Sequence, residues 1–189
     1  CLLVLFAGLA LAGPLLSGCS DAALAFGPRG RVVYLVIDDG LSTQTAAAGA
    51  ATRFDGPKKQ ALDVVDQMEE GDRAVIVRMG RPAGYVTEQA TGDKDALKQT
   101  IEDRGPGYAR GELIDALMLV QGSMSTTGVR AGDAVVVVLS DFPRSAGYLD
   151  AALPPELEDL GRRAKIVTAL PAQGTDNRQI MSVTPRRRM

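Results

Sequence analysis

The chain contains no histidine and no tryptophan. Without an imidazole, Ser-His-Asp hydrolysis, Cys-His proteolysis, His-ligated zinc and general-base catalysis by histidine are all excluded. Cysteine is scarce. Cys1 and Cys19 are the only two, and both lie in or beside an apolar N-terminus. They make neither a disulfide framework nor a metal-binding spacing. There is no excess of one charge sign, with 21 Lys and Arg against 23 Asp and Glu and a net charge of -2. No global basic field therefore points to nucleic acid or to anionic lipid. The remaining balance, 46% hydrophobic and 23% charged over 189 residues, is that of a globular domain with extras.

What the chain does have is a concentrated signal between Arg31 and Ser42, RVVYLVIDDGLS. An uncharged run, Val32 to Ile37, meets two carboxylates, Asp38 and Asp39, and then Gly40 and Ser42. Such a run without polar alternation predicts a strand buried on both faces of a parallel sheet. The segment Asp133 to Asp141, DAVVVVLSD, repeats the pattern. Two buried strands would each deliver an aspartate to the C-terminal sheet edge, where ligands of open α/β sheets sit. Asp38 and Asp141 side by side would form an oxygen cluster suited to a hard cation.

The first 20 residues carry no charge. About 20 apolar residues are enough to span a bilayer, and Pro14 is tolerable within a span. Residues 1–20 are thus read as a transmembrane or signal-anchor helix. A secretion signal is the second reading, because Leu16-Ser17-Gly18-Cys19 looks like a lipobox. A buried core helix is the third. The start at Cys1 with no basic segment before the apolar run suggests a fragment. Residues 21–30 read as a linker.

Helices and strands alternate beyond it. Asp55 is the expected N-cap of a helix with Pro57 in its first turn and Ala61, Leu62, Val65 and Met68 on one face. Asp72 to Gly80 reads as a strand and Tyr85 to Ala90 as a polar edge strand. Helices follow over Asp93 to Arg104 and Glu112 to Met124. The glycine-rich stretch GPGYARG precedes the second of them. Leu153-Pro154-Pro155 opens a helix to Ala164, and Lys165 to Leu170 is a last strand. The expected fold is α/β, a doubly wound, mostly parallel sheet with helices on both faces. Its centre is Val32 to Asp38, flanked by Ala74 to Met79 and by Ala134 to Ser140. The domain spans 31–171. Residues 172–189 read as a linker or as the start of a following domain missing from the fragment, and Arg186 to Arg188 as solvated.

These pieces resemble the von Willebrand factor A-type domain. That family builds a metal-ion-dependent adhesion site from an Asp-x-Ser-x-Ser loop, a Thr-bearing loop and a later Asp. Asp38 matches the first Asp, Ser42 the second Ser, and Asp141 in Leu139-Ser140-Asp141-Phe142 the third loop. Gly40 stands at the first Ser and Gly111 at the Thr. More closely, the chain resembles the Bat aerotolerance-type membrane proteins. The resemblance rests on Thr52-Arg53-Phe54-Asp55, Gly71-Asp72-Arg73, Leu139-Ser140-Asp141-Phe142-Pro143-Arg144-Ser145 and Pro185-Arg186-Arg187-Arg188, in that order.

The resemblance implies a membrane-tethered protein-interaction module with a degenerate adhesion site at Asp38, Ser42 and Asp141. The soluble domain would sit on the extracytoplasmic side of a cell envelope. Any Mg²⁺ would bind weakly, with waters replacing the lost hydroxyls. The expected partner is an unidentified protein, with the membrane engaged through the N-terminal segment and no nucleic acid. Arg110 or Arg144 is the expected compensating cation. Ser140 is read as a hydrogen-bond partner, since no base is present to activate it. Asp39 is read as structural, as neighbours on a strand point apart.

The rivals are a metal-dependent hydrolase using the Asp38/Asp141 cluster and an inert spacer in an envelope assembly. Ile37-Asp38-Asp39-Gly40 resembles the polysaccharide deacetylase motif, but those enzymes need a His pair. A receiver domain needs a phosphorylatable Asp after a later strand, where Arg78-Met79-Gly80 stands. A haloacid-dehalogenase-type site needs Asp-x-Asp, and Gly40 occupies its second position. The chain is therefore expected not to be an enzyme.

Overall fold

The computed structural model describes residues 30–45, 52–140 and 154–169. The elements are β1 (Val32–Ile37), a 3-10 turn (Leu41–Gln44), α1 (Asp55–Gln67), β2 (Arg73–Arg78), β3 (Gly84–Tyr85), α2 (Lys94–Glu102), α3 (Leu113–Thr127), β4 (Ala134–Leu139), α4 (Pro155–Arg163) and β5 (Ala164–Ala169). The strands form one sheet in the order β3-β2-β1-β4-β5. The β1–β2, β1–β4 and β4–β5 pairs are parallel, and only β3 runs antiparallel. The sheet is therefore a mixed, mostly parallel α/β sheet, and β1 lies at its centre between β2 and β4 as expected.

All residues of β1 and of β4 are buried. Alternate side chains of a strand point to opposite faces, so two apolar layers result. Val33, Leu35 and Ile37 pack with Ala61, Val64 and Val65 of α1 and with Leu97 and Ile101 of α2. Val32, Tyr34 and Val36 pack with Ala116, Val120 and Met124 of α3 and with Leu157 and Leu160 of α4. Each fully buried side chain of this size contributes about 1.5–3 kcal/mol. Helices on both faces explain why the strands show no polar alternation.

Two of the boundaries that differ from expectation have a visible cause. The chain enters α1 through Phe54, which is already helical and carries no side-chain cap. Asp55 is instead the first helical residue, and its Oδ2 accepts a 2.8 Å bond from the Thr52 backbone N–H. The edge strand is Gly84–Tyr85 rather than Tyr85 to Ala90. The Ile76 N–H donates to Thr87 Oγ1 at 2.9 Å, so a side chain takes the place of a ladder carbonyl. Regular pairing lapses there, and contact resumes only at the isolated Ala74–Thr91 bridge. Asp93 caps α2 by accepting from the Ala96 N–H, and Gly128 ends α3 in the left-handed region.

Among the described residues, no helix is long and apolar enough to cross a membrane. The expected span at 1–20 and the tail at 172–189 lie outside the described residues.

Candidate functional site

The β1–β4 register pairs Ile37 with Leu139. The Asp38 N–H then donates to the Leu139 carbonyl at 2.9 Å, which sets Asp38 level with Ser140. β1 leads on to α1 on one face, while the helices on the other face, α3 and α4, flank β4 in sequence. The connections thus part between β1 and β4, at the position where α/β sheets open a crevice.

Asp38 is 2% exposed, and both its carboxylate oxygens are engaged. Oδ1 accepts from the Gly40 N–H at 2.9 Å, a turn that aspartate forms readily with the residue two places on. Oδ2 accepts from Ser140 Oγ at 2.5 Å. Ser140 is itself buried, so the expected hydrogen-bonding role is the one it has.

Asp39 is 7% exposed, and its Oδ1 has no hydrogen-bond partner. Burial pushes its carboxyl above the ordinary range. The guanidinium groups of Arg78 and Arg104 pull it back in part, and the neighbouring Asp38 adds to the rise. Arg78 Nη1 lies 3.1 Å, and Asp39 Oδ1 3.2 Å, from the point where a Gly80 side chain would begin.

The segment 105–111 is laced across the end of β1 by its backbone. Gly107 N–H donates to the Asp39 carbonyl at 2.7 Å, and Leu41 N–H to the Ala109 carbonyl at 2.8 Å. Glu112 N–H donates to the Met79 carbonyl at 2.6 Å, and Gln44 Nε2 to the Gly107 carbonyl at 2.6 Å. Glycine permits this close approach. A Cβ at Gly40 would lie 2.9 Å from Asp38 Oδ1, and one at Gly111 2.8 Å from the same oxygen. Both are shorter than real side chains tolerate, so these two backbones fill the space beside Asp38 that a side chain would otherwise occupy.

No protein-family model matches the chain, and no curated protein matches it in sequence. Solved structures match it in fold. The conserved hypothetical protein BatB of Bacteroides thetaiotaomicron superposes with a TM-score of 0.59 at 18% identity, over 80% of this chain and 77% of that one. An aerotolerance-related membrane protein of Bacteroides fragilis gives 0.58 at 19% identity, over 80% of this chain and 78% of that one. A von Willebrand factor type A structure from Catenulispora acidiphila gives 0.59 at 14% identity, over 74% of this chain and 33% of that one. The fold is that of a von Willebrand factor A domain.

A metal ion in such a domain needs a set of oxygen ligands, and only part of the expected set falls among the described residues. No three His, Cys, Asp or Glu residues among them come together as a ligand group. Asp38 turns both oxygens toward protein donors, and Gly40 and Gly111 carry no hydroxyl. Of the three expected ligands, Asp38 stands at the sheet edge. Ser42 lies half-buried in the 3-10 turn and is not among the donors described for Asp38. Asp141 lies outside the described residues, as does Arg144.

Arg110 faces Glu112 (Nε to Oε1, 3.6 Å), and Arg81 reaches the same Oε1 at 3.5 Å. The cations acting on Asp39 are Arg78 and Arg104, neither of which was the expected compensating cation. Arg78 carried a signal. A charge closing the otherwise apolar run Ala74 to Val77 sits at the same sheet edge as Asp38, because Ile37 pairs with Arg78.

Proposed function

We propose that this von Willebrand factor A-type domain is a protein-interaction module that engages its partner at the C-terminal edge of the sheet and does not depend on a divalent cation to do so. The observation that carries this reading is the engagement of both Asp38 oxygens by the Gly40 amide and the Ser140 hydroxyl, with glycine backbone packed where side-chain hydroxyls would otherwise stand. An adhesion site reduced to Asp38, Ser42 and Asp141, with weak Mg²⁺ binding at most, is the form of the site we infer. The uncharged segment 1–20 serves in this reading as the membrane tether, with the domain on the extracytoplasmic side. The fold similarity to an aerotolerance-related membrane protein supports the membrane association.

The test is site-specific photo-crosslinking of the full chain in its membrane, with the reactive group at position 41 and, as control, at position 166 on the outer strand. A discrete protein adduct from position 41 alone, unchanged by chelation of divalent cations, is expected. Loss of the adduct on chelation would overturn metal independence. Phosphoester or acetyl-sugar turnover by the purified chain, abolished by Asp38→Ala, would overturn the reading as an interaction module.

A further inference from the structure

The four described helices differ in what they show to water. α1, α2 and α4 carry five, four and five charged residues, whereas α3, the longest at 15 residues, carries one, Asp115. A surface helix ordinarily sets charged and polar side chains on its outer face. On α3 the exposed positions after Asp115 are Met118, Gly122, Ser125, Thr126 and Thr127. The three hydroxyls donate to carbonyls four residues back, at 2.9, 2.9 and 2.7 Å, so their protons are spent within the helix. Glycine in a helix interior costs about 1 kcal/mol against alanine. A Cβ at Gly122 would nevertheless meet nothing within 4 Å, so packing among the described residues does not call for it.

Beside this uncharged strip runs a groove of about 350 Å³, lined by Pro82, Ala83, Asp115, Met118 and Leu119. Tyr85, 41% exposed, ties the edge strand β3 to α3 there by donating from its hydroxyl to the Leu119 carbonyl at 2.8 Å. Met118, 36% exposed, thus stands next to a recess. The rim carries both signs, with Asp115 exposed on α3 and Arg81, its side chain 70% exposed, just before Pro82. Glu112 is shared between Arg81 and Arg110. On the other flank Gln121 donates to Asp159 of α4, which Arg162 and Arg163 balance.

We propose that this face is a contact between two copies of the chain, related by a two-fold axis beside Met118. Met118 of each copy enters the groove of the other, and Arg81 of each meets Asp115 of the other. A two-fold contact uses one patch twice, so that patch must hold both projection and recess, and both signs of charge. This one holds all four. Near the axis each residue approaches its own copy, and a strip without charge brings no like pair together there. α3 is about 22 Å long. A strip along it falls short of the roughly 800 Å² per partner of a standard interface, so the dimer is weak and reversible. The contact lies on a different face from the proposed sheet-edge site and does not depend on it.

The experiment is photo-crosslinking of the full chain in intact cells, with the reactive group at position 118 and, as control, at position 63, exposed on α1. A two-chain adduct from position 118 alone is expected. An adduct with a different protein, or none, would overturn the inference. Charge reversals then test the axis. Arg81→Asp or Asp115→Arg alone creates two like-charged contacts, and each should cut the two-chain adduct by about tenfold. Both side chains are exposed, and the circular dichroism of each purified variant should match that of the parent chain. Co-expressing the two variants pairs opposite charges at both contacts and should restore an adduct between them. Mixing cannot repair damage confined within one chain. Reversals without effect, or a mixture that stays uncrosslinked, would overturn the two-fold contact.

Discussion

The two ends of the central strands each hold a buried aspartate, and they use it differently. At the N-terminal end, Asp72 is 3% exposed. Its Oδ1 accepts from the Arg31 N–H at 3.1 Å and its Oδ2 from the Glu69 N–H at 3.0 Å. Both oxygens are matched by backbone amides, and the result is a brace that ties the start of β1 to the turn before β2. At the C-terminal end, Asp38 is matched by one backbone amide and one hydroxyl, but Asp39 beside it is not matched at both oxygens. Its Oδ1 is buried without a donor, and its carboxyl is pushed up by burial. A buried carboxylate with both oxygens hydrogen-bonded stabilises the fold. One left short costs stability and is retained at sites that do something else. The exposed side chains of Leu41 and Tyr108 sit at that same end.

The sharpest way to break this contrast is to crowd the C-terminal end. Gly111→Val places a Cβ 2.8 Å from Asp38 Oδ1 and 3.4 Å from its carboxyl carbon. It should lower unfolding free energy by about 2–3 kcal/mol in a denaturant titration. Gly122→Ala in α3 has nothing within 4 Å and should stabilise by about 0.5–1 kcal/mol. Equal effects from the two would show that the packing around Asp38 is not tight.

Next in size is Asp72→Ala, which orphans two amides at the N-terminal end. A loss of about 2 kcal/mol is expected by the same titration. Asp39→Ala removes a group that lacks one donor and should cost clearly less. If Asp39→Ala costs more, the distinction between the ends fails.

A smaller effect follows from pH. The folded pKa of Asp39 lies above its unfolded value, so the folded state holds the proton more tightly. Its favourable contribution is fully present below the unfolded pKa and is lost as pH rises through the folded pKa. Asp39→Asn should therefore raise Tm relative to the parent chain near neutral pH, and the gain should shrink on acidification. A gain that grows on acidification would mean that Arg78 and Arg104 outweigh burial.

The smallest expected effect is that of Mg²⁺. Ligand binding to the native state raises Tm in proportion to RT ln(1 + [L]/Kd). Millimolar Mg²⁺ should leave Tm unchanged within error, both in the parent chain and in Gly40→Ser. A rise abolished by Asp38→Ala would show a working cation site.

Much of this was legible in the residues. The uninterrupted apolar runs at Val32 to Ile37 and Ala134 to Leu139 announced strands buried on both sides, and the central position of β1 followed. The helix after Asp93 was legible too, although Asp93 was read as its first residue and the structure makes it the N-cap. The edge strand was overextended, because its pairing ended at a cross-strand hydrogen bond from Ile76 to Thr87, which no local pattern encodes. The roles of Arg78 and Arg104 were missed for a related reason. They sit 39 and 65 positions from Asp39 by their own numbers, and only the fold brings them to it.

The sequence by itself determined the layers, since hydrophobic burial follows the period of side chains along each element and is written in local order. It also determined which chemistries are absent, since a chain without histidine cannot supply an imidazole anywhere. The tertiary structure decided what the two acids do. Asp38 and Asp39 are adjacent and chemically identical in the sequence. One meets the Gly40 amide and the Ser140 hydroxyl, and the other meets buried space with two guanidiniums nearby. Burial, hydrogen-bond donors and neighbouring charge set a carboxylate's state, and beyond the local Gly40 amide and the adjacent carboxylate they come from segments distant in the chain.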